Sequence, residues 1–478
     1  MEWDIVIGLE VHAQLKTKSK LFSGASTTFG APANAQACFI DAALPGVLPV
    51  LNQEAVVMAI QLGLALNADI NDCSVFERKN YFYPDLPKGY QISQFQKPIV
   101  TNGTLSIKLD DGSIKTVLIN RAHLEEDAGK SLHELHTAYT GIDLNRAGTP
   151  LLEIVTEPCL YSTEEAIKYL KTLHQLVRFL GICDGNMQEG SFRCDVNLSL
   201  KPKGSNTLGT RTELKNLNSF RFIEKAIAVE QIRHQDILEQ GGTITQETRL
   251  YNPDTNTTHA MRDKENENDY RYFPDPDLLP IQITRFQIAE IKSNQADLPE
   301  QIYQQLSKIP TLNEDDINFV LSSPAVYLFY KRIKSYCPNS EKPIINWLKG
   351  PYAAALNEHG LDFETLPVSA YAVATLIQKI QSKSISSNNA KHVFATLWEH
   401  EEDIDTIIQR EGYQQMEDSS ALEELIIKLV QNHPKQVNEY KEGKEQLLGF
   451  FVGQIMKQTK GQANPEQVNE LLKLHLKK

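Results

Sequence analysis

DGNMQEGSFRCDVNLSLKPKGSNTLGTRTELKNLNSF, residues 184–220, contains a ten-residue alternation of apolar and polar side chains that is typical of a β-strand. Its apolar positions are Phe192, Cys194, Val196, Leu198 and Leu200, and its polar positions are Arg193, Asp195, Asn197, Ser199 and Lys201. Because successive side chains of a strand point to opposite faces, this strand has one face for a core and one charged face.

A turn-rich loop, residues 202–209, and a second short strand, residues 210–217, follow it. Pairing of the two strands as a hairpin predicts that two carboxylates and three cations share a face: Asp195, Glu213, Arg193, Arg211 and Lys215. Such a mixture on rigid strands suits metal-bound phosphate chemistry. The alternative is a solvated sheet face with surface ion pairs.

The bulk composition limits the class of protein. A chain of 478 residues predicts roughly two to four domains. The net charge of −13 argues against a protein coated in nucleic acid. No apolar run approaches a membrane span, and the N-terminus, MEWDIVIGLEVHAQLK, lacks the features of a signal peptide. Six dispersed cysteines without a CxxC pair predict a cytoplasmic protein with no disulfide framework.

Further strand-like stretches also carry acids and histidines on one face. The pairs that share a face by period two are Glu10 and His12, His123 and Glu125, and Glu153 and Glu157. Strands hold their side chains rigidly, as a magnesium site with several ligands requires. Burial of so many carboxylates without cations would be costly, so these acids either face water or are compensated by metal and basic groups.

The segment RKNYFYPDLPKGYQIS, residues 78–93, is aromatic, basic and rich in proline, which excludes a regular helix. It is either a packed loop or a loop that lines a ligand passage, with Lys79 and Lys88 facing inward. Helical periodicity predicts helices over residues 52–67, 163–180 with Thr163 as the cap, and 218–240.

From about residue 287 the pattern is helical almost throughout. The sequence therefore predicts an α+β fold in which a β-rich N-terminal domain with covering helices, residues 1–293, precedes two all-α domains, residues 294–406 and 407–478. Short helices are predicted over residues 422–430, 434–440, 444–459 and 465–476. Residues 435–478 carry eight basic and five acidic side chains, a mild bias toward a polyanionic partner or simply a solvated helix surface.

Several long motifs, in the same order along the chain, resemble the B subunits of bacterial tRNA-dependent amidotransferases, which act on aspartyl- and glutamyl-tRNA. These motifs are IGLEVHAQLKTKSKLFS, ALPGVLPVLN, RKNYFYPDLPKGYQISQ, RAHLEEDAGK, NRAGTPLLEIVTEP, DGNMQEGSFRCDVN, GTRTELKNLNSF and MRDKENENDYRYFPDPDLLP. The resemblance covers essentially the whole chain.

The resemblance implies a cradle domain with a kinase-type site at the N-terminus, followed by helical modules that contact tRNA. The implied reaction is ATP-dependent phosphorylation of the side-chain carboxylate of Glu-tRNA(Gln) or Asp-tRNA(Asn), and then amidation of the acyl phosphate. Ammonia would come from a separate amidase (glutaminase) subunit, while a small third subunit would complete a heterotrimer. ATP and Mg²⁺ are the implied cofactors.

The family motifs also imply roles for individual residues. The expected catalytic residues are Glu10, His12, Glu125, Asp195 and Glu213. Of these, His12, Glu125 and Glu213 are the expected magnesium ligands. The basic residues Arg193, Arg211 and Lys215 are expected to bind the phosphates of ATP, while Lys79 and Lys88 match the family's loop near the ammonia passage.

The chain departs from the family at one point, because some members bind zinc through four cysteines and only Cys38 is present here. No zinc is therefore expected. Two other functions fit the residues: a non-catalytic tRNA-binding scaffold, and a carboxylate–amine ligase for a small metabolite that works without tRNA.

Overall fold

A computed structural model describes residues 2–133, 139–263, 267–414, 419–459 and 462–477 of the chain. It divides into two compact units, Met1–Gln301 and Ile302–Lys478. The first is rich in strands and the second is helical, which confirms the predicted α+β class. The boundaries of the three predicted domains stay a prediction. Residues 264–266 of the last family motif, and Lys460 and Lys478 of the basic tail, lie outside the described residues.

The strands all belong to the first unit. They are β1 (Trp3–Gln14), β2 (Asp69–Ile70), β3 (Cys73–Ser74), β4 (Glu77–Asn80), β5 (Tyr90–Ser93), β6 (Val100–Lys108), β7 (Ile114–Glu126), β8 (Lys130–Leu132), β9 (Gly141–Asp143), β10 (Pro150–Thr156), β11 (Phe192–Pro202), β12 (Thr212–Lys215), β13 (Glu247–Asn252), β14 (Thr257–Asp263), β15 (Phe273–Pro274) and β16 (Ile281–Gln282). Nine of them form one mixed sheet, in the order β14-β13-β12-β11-β1-β10-β7-β6-β2.

Strand β1 lies in the middle of this sheet, antiparallel to β10 on one side and to β11 on the other. The predicted hairpin of β11 and β12 is confirmed, with Asn197 opposite Glu213. Strands β12 and β13 pair in parallel, with Glu213 opposite Thr248. The polar faces of strands distant in sequence therefore meet on one side of the sheet.

In the described part of the first unit, the helices are α1 (Gln53–Ala65), α2 (Thr163–Phe179), α3 (Phe220–Glu239) and α4 (Arg285–Ser293), together with a short 3₁₀ helix at Glu267–Tyr270. Helices α1, α2 and α3 pack on the sheet and share its hydrophobic core. The five apolar residues predicted to share a face of β11 are all buried in this core. Full burial of each such side chain contributes about 1.5–3 kcal/mol.

The three predicted helices of this unit are present, but the cap of α2 differs from the prediction. The side chain of Ser162, not Thr163, accepts a hydrogen bond from the backbone N–H of Glu165, and Thr163 is the first helical residue. Both residues are good caps, and the extended backbone of Ser162 decides between them.

The second unit is helical. Its helices, beginning with α5 at the boundary, are α5 (Pro299–Leu306), α6 (Glu314–Val320), α7 (Pro324–Tyr336), α8 (Glu341–Trp347), α9 (Ala353–Glu358), α10 (Ala370–Gln381), α11 (Ser387–Glu399), α12 (Ile404–Glu411), α13 (Ser419–Asn432), α14 (Pro434–Lys441), α15 (Leu447–Gln458) and α16 (Pro465–Lys477). The last four confirm the predicted helices of residues 422–476, and their apolar faces form a hydrophobic cluster of their own. Within the described residues, no helix is long and apolar enough to cross a membrane.

Candidate functional site

A row of polar residues crosses four neighbouring strands on the face of the sheet opposite the helices. His12 of β1 lies opposite Arg193 of β11 on one side and opposite Glu153 of β10 on the other. Glu153 in turn lies opposite His123 of β7. Side chains that are directly opposite in adjacent strands share a face and lie close together, so the register of the sheet assembles this row.

We call His12, His123, Glu125 and Glu153 the histidine–glutamate cluster. The Nε2 atoms of His12 and His123 each lie 3.4 Å from the same oxygen, Oε2 of Glu153. Nε2 of His123 is also 3.6 Å from Oε2 of Glu125. Glu153 is therefore at the centre of the cluster.

The charges in this cluster stabilise one another. Burial alone would raise the pKa of Glu153, but His123 and His12 hold that pKa well below its usual range. Both histidine pKa values are raised, because the attraction of Glu153 outweighs the effect of burial. The pKa of Glu125 is lowered despite its burial, chiefly by the ammonium group of Lys79. The two carboxylates are therefore anions at neutral pH.

The donor set of this cluster fits a divalent cation. One ligand atom from each of His123, Glu125 and Glu153 can be chosen so that all three lie within 4.8 Å of one another. Nε2 of His123 faces the two carboxylates, whereas its Nδ1 is buried without a hydrogen-bond partner among the described residues. A cation would take the place of the protons that the histidines share with the carboxylates.

A second group, the carboxylate cluster, consists of Glu10, Asp195 and Glu213. Glu10 lies directly opposite Asp195, and oxygens of all three residues can lie within 4.8 Å of one another. The ammonium group of Lys215 forms an ion pair with Asp195 and lies 3.5 Å from Oε1 of Glu213. Burial would lower the pKa of Lys215, but these carboxylates raise it, so Lys215 stays charged.

Uncharged groups orient two of these carboxylates. The side-chain amide of Asn197 donates a hydrogen bond of 2.7 Å to Oε1 of Glu10. The hydroxyl of Thr248 donates a hydrogen bond of 2.6 Å to Oε2 of Glu213. The carboxylates are held in defined orientations by neighbours on adjacent strands.

A cavity of ≈ 400 Å³ opens beside the carboxylate cluster. Glu10, Asn197 and Arg211 contribute side chains to its wall, and Gly209 contributes backbone. A Cβ at Gly209 would lie 2.0 Å from the carbonyl oxygen of Leu200, so only glycine allows this approach. The cavity is large enough for part of a small-molecule substrate.

The structure separates the three basic residues that the hairpin pattern predicted to share one carboxylate pair. Nη2 of Arg193 is 2.9 Å from Oδ2 of Asp127, beyond the far side of β1. Arg211 lines the cavity, and Lys215 lies within the carboxylate cluster. Arg193 therefore lies next to the histidine–glutamate cluster, where its charge and that of Arg146 lower the pKa of Asp127 although that residue is buried.

Residues 78–93, predicted to be a loop, begin on β4 and end on β5, which pair with each other, and the segment's two lysines both face carboxylates, Lys79 from β4. Nζ of Lys79 is 3.8 Å from Oε1 of Glu125 and 5.1 Å from the ring centre of Tyr270. Lys88 forms an ion pair with Glu126, the next residue along β7. Lys79 therefore extends the histidine–glutamate cluster, whereas Lys88 pairs with the residue that follows Glu125 on β7.

The five residues predicted to be catalytic are thus divided between the two clusters. His12 and Glu125 belong to the first, and Glu10, Asp195 and Glu213 form the second. His123 and Glu153 were predicted to lie on polar strand faces but were not among the predicted catalytic residues. The signal that would have identified them is cross-strand register, which one strand's pattern does not contain.

The prediction that Glu153 and Glu157 share a face stays a prediction, because β10 ends at Thr156. The register between β10 and β7 shifts between Val155 and Thr156, where it passes over Asn120 of β7. Glu157 accepts a hydrogen bond of 2.6 Å from this Asn120 and is not a member of the histidine–glutamate cluster.

Comparison with known proteins shows the family of the chain. Residues 5–289 match the model of the GatB/GatE catalytic domain, and residues 328–476 match that of the GatB domain. The chain is 73% identical, over the full length of both chains, to the B subunit of the aspartyl/glutamyl-tRNA(Asn/Gln) amidotransferase from Legionella pneumophila strain Paris. The B subunits of the same name from Thioalkalivibrio sulfidiphilus and Coxiella burnetii strain CbuG_Q212 are 54% and 53% identical, again over the full length of both chains.

Proposed function

The chain belongs to the GatB/GatE family, and from this premise we propose how its sheet performs the reaction of the complex. The chain acts as the B subunit of a tRNA-dependent amidotransferase, a glutamine-hydrolysing ligase that forms carbon–nitrogen bonds. Its substrates are Glu-tRNA(Gln), Asp-tRNA(Asn) or both, and its partners are the amidase (glutaminase) subunit, which supplies ammonia, together with the small third subunit of the heterotrimer. Members of the family use ATP and a divalent metal. We place the chain in the cytoplasm, where charged tRNA is used.

The observation that carries the proposal is the pair of acidic clusters on one face of the sheet, next to a cavity. In the proposed site, His12 and Glu125 would hold Mg²⁺ in the histidine–glutamate cluster, with His123 and Glu153 as additional donors, and Glu213 would hold it in the carboxylate cluster, with Glu10 and Asp195. A bound magnesium ion supplies the positive charge that lets a triphosphate and a carboxylate approach each other. The carboxylate pKa values, lowered at Glu125 and Glu153, keep these donors ionised at neutral pH.

The basic residues orient the nucleotide in this proposal. Arg211 lines the cavity and presents its guanidinium group to phosphate oxygens there. Lys215, which pairs with Asp195, and Arg193, which lies opposite His12, stabilise the charge that moves onto the leaving ADP. A bond forms between the substrate carboxylate oxygen and the γ-phosphorus, and the bond from that phosphorus to the bridging oxygen of ADP breaks.

Ammonia from the amidase partner then attacks the acyl carbon, and inorganic phosphate leaves together with a proton. In this proposal, the ammonia approaches the acyl phosphate past Lys79 and Lys88, which lie beside Glu125 and Glu126. The helical second unit, and above all residues 407–478, is proposed to hold the tRNA.

The test is amide formation by the reconstituted heterotrimer, with mischarged tRNA and ATP. His12→Ala and Glu213→Ala are each expected to reduce the rate by about 100-fold, because each removes a ligand from the proposed site. Asp110→Asn is the control, since Asp110 is exposed and pairs with Lys168 far from the clusters. Unchanged rates in both alanine variants would identify a scaffold protein without a catalytic role. ATP turnover without tRNA, unaffected by deletion of residues 407–478, would indicate a ligase for a small metabolite.

A further inference from the structure

A buried threonine on β13 contacts the carboxylate cluster from the edge of the sheet. Thr248 is 1% exposed and lies opposite Glu213 in the parallel pairing of β12 and β13. Its hydroxyl donates the 2.6 Å hydrogen bond to Oε2 of Glu213. A hydroxyl–carboxylate bond of this length is charge-assisted and stronger than a bond between neutral groups.

The two oxygens of Glu213 have different neighbours. Thr248 contacts Oε2, while Oε1 is 3.5 Å from Nζ of Lys215. Lys215 is a cation and therefore competes with any metal ion for the carboxylate. Thr248 is uncharged, so it fixes the direction of the carboxylate without neutralising it.

Strand β12 needs such support, because it is short. It has four residues and pairs with β11 over only three positions. The register of the neighbouring β13–β14 pair shifts between Thr248 and Arg249, an irregularity that re-aims side chains at that point. The predicted ligand, Glu213, and the group that orients it, Thr248, thus lie on adjacent strands.

We propose that Thr248 is a positioning residue for the amidation reaction, one that holds the carboxylate of Glu213 in the orientation required to bind a divalent cation. This inference rests on the proposed function, in which Glu213 is a metal ligand. Thr248 itself contacts neither substrate nor metal. Loss of an orienting partner of a metal ligand typically lowers metal affinity by about 10- to 100-fold.

The sheet contains a matched control. Thr258 of β14 is also a buried threonine, and its hydroxyl donates a 2.8 Å hydrogen bond to Oε2 of a buried glutamate, Glu230 of α3. Thr258→Val and Thr248→Val therefore remove the same kind of bond from the same edge of the sheet. Only Thr248→Val removes one from the carboxylate cluster.

The experiment measures Mn²⁺ binding to the full-length chain by electron paramagnetic resonance, and amide formation by the reconstituted complex. The Mn²⁺ binding of interest is the part of the wild-type binding that the Glu213→Ala variant loses. Thr248→Val is expected to weaken this fraction by about 10- to 100-fold and to lower the rate at saturating tRNA and ATP. Thr248→Ser, which keeps the hydroxyl, is expected to restore both to within about threefold.

Other outcomes are decisive. Wild-type Mn²⁺ affinity in Thr248→Val, or an equal loss in Thr258→Val, would overturn the positioning role, because the effect would then be absent or general to the sheet. If Thr248→Val fails to fold, Mn²⁺ binding and amide formation are measured instead for Thr248→Ala, which lacks the hydroxyl, and for Thr248→Ser, which keeps it. Mn²⁺ binding that is unchanged by Glu213→Ala would refute the proposed metal site itself, and the role of Thr248 with it.

Discussion

Two groups of buried charges lie on opposite faces of the same sheet, and they are compensated in different ways. On the helix side, the carboxylate of Glu230 is 0% exposed and accepts hydrogen bonds from Arg233, Thr212 and Thr258. Nε of Arg249 lies 3.5 Å from it. This network ties α3 to three strands and is enclosed by protein.

On the other face, the carboxylate cluster opens onto a cavity, and a lysine and an amide orient its acids. The histidine–glutamate cluster relies on imidazoles, whose charge depends on bound protons. Glu230 also has an imidazole neighbour, His234 at 3.2 Å, but it is paired in addition with two guanidinium groups, which stay charged at all relevant pH values and suit permanent structure. Groups that exchange protons or face a cavity suit a site that must take up and release cations.

The largest effect is expected from Glu230→Ala. Loss of this fully buried carboxylate would leave two partly buried arginines with Glu247 as their remaining carboxylate and would remove the acceptor of two buried threonine hydroxyls, which costs about 3–5 kcal/mol. Thermal denaturation followed by circular dichroism would detect a large fall in the unfolding midpoint. Asp236→Ala, an exposed change on the same helix, should leave the midpoint nearly unchanged. Equal midpoints for the two variants would remove the distinction between the faces.

A smaller effect on stability but a clear effect on activity is expected from Glu153→Gln. Glu153 is the carboxylate that both histidines share, so its loss should reduce amide formation by about 100-fold, or about 2.7 kcal/mol. The matched control is Glu157→Gln, because Glu157 lies outside the cluster. A similar loss in both variants would argue against a special role for Glu153.

The pH dependence of stability sharpens the comparison. Burial alone would raise the pKa of Glu230, but His234 and Arg233 lower it far below its usual range. The ionised form therefore contributes stability that is present above the unfolded-state pKa of about 4.3 and is lost as the pH falls through the folded-state value. Below about pH 4.5, the unfolding midpoint of Glu230→Gln should fall less steeply than that of the wild type. If the unfolding midpoints of the two proteins fell in parallel with pH, Glu230 would not be the group responsible for the loss of stability in acid.

The smallest effect is expected at the surface. Asp110 and Lys168 form an ion pair of 2.6 Å, but Asp110 is largely exposed. Asp110→Asn should change the free energy of unfolding by less than about 1 kcal/mol, and added salt should abolish the difference. A larger change would mean that the distance between the charges, rather than their burial, determines how much an ion pair contributes to the free energy of unfolding of this protein.

The sequence was sufficient for the local parts of this site. Period two assigned the buried and polar faces of β11, and the short connection predicted its pairing with β12. It was insufficient for the position of β1, which lies between β10 and β11 although more than a hundred residues separate it from either strand. The convergence of His12 on Glu153 depends on that long-range pairing. The shift in register between β10 and β7 after Val155 is not visible in the alternation of apolar and polar residues.

The central position of β1 also bears on how the protein is made. The first strand to leave the ribosome waits for β10 and β11, and β11 ends only at Pro202. At typical synthesis rates this delay is about 10–40 s, during which a hydrophobic strand has neither of its partners. Folding dominated by such distant pairings is slow, so the nascent N-terminus is the part of this chain most in need of chaperone protection.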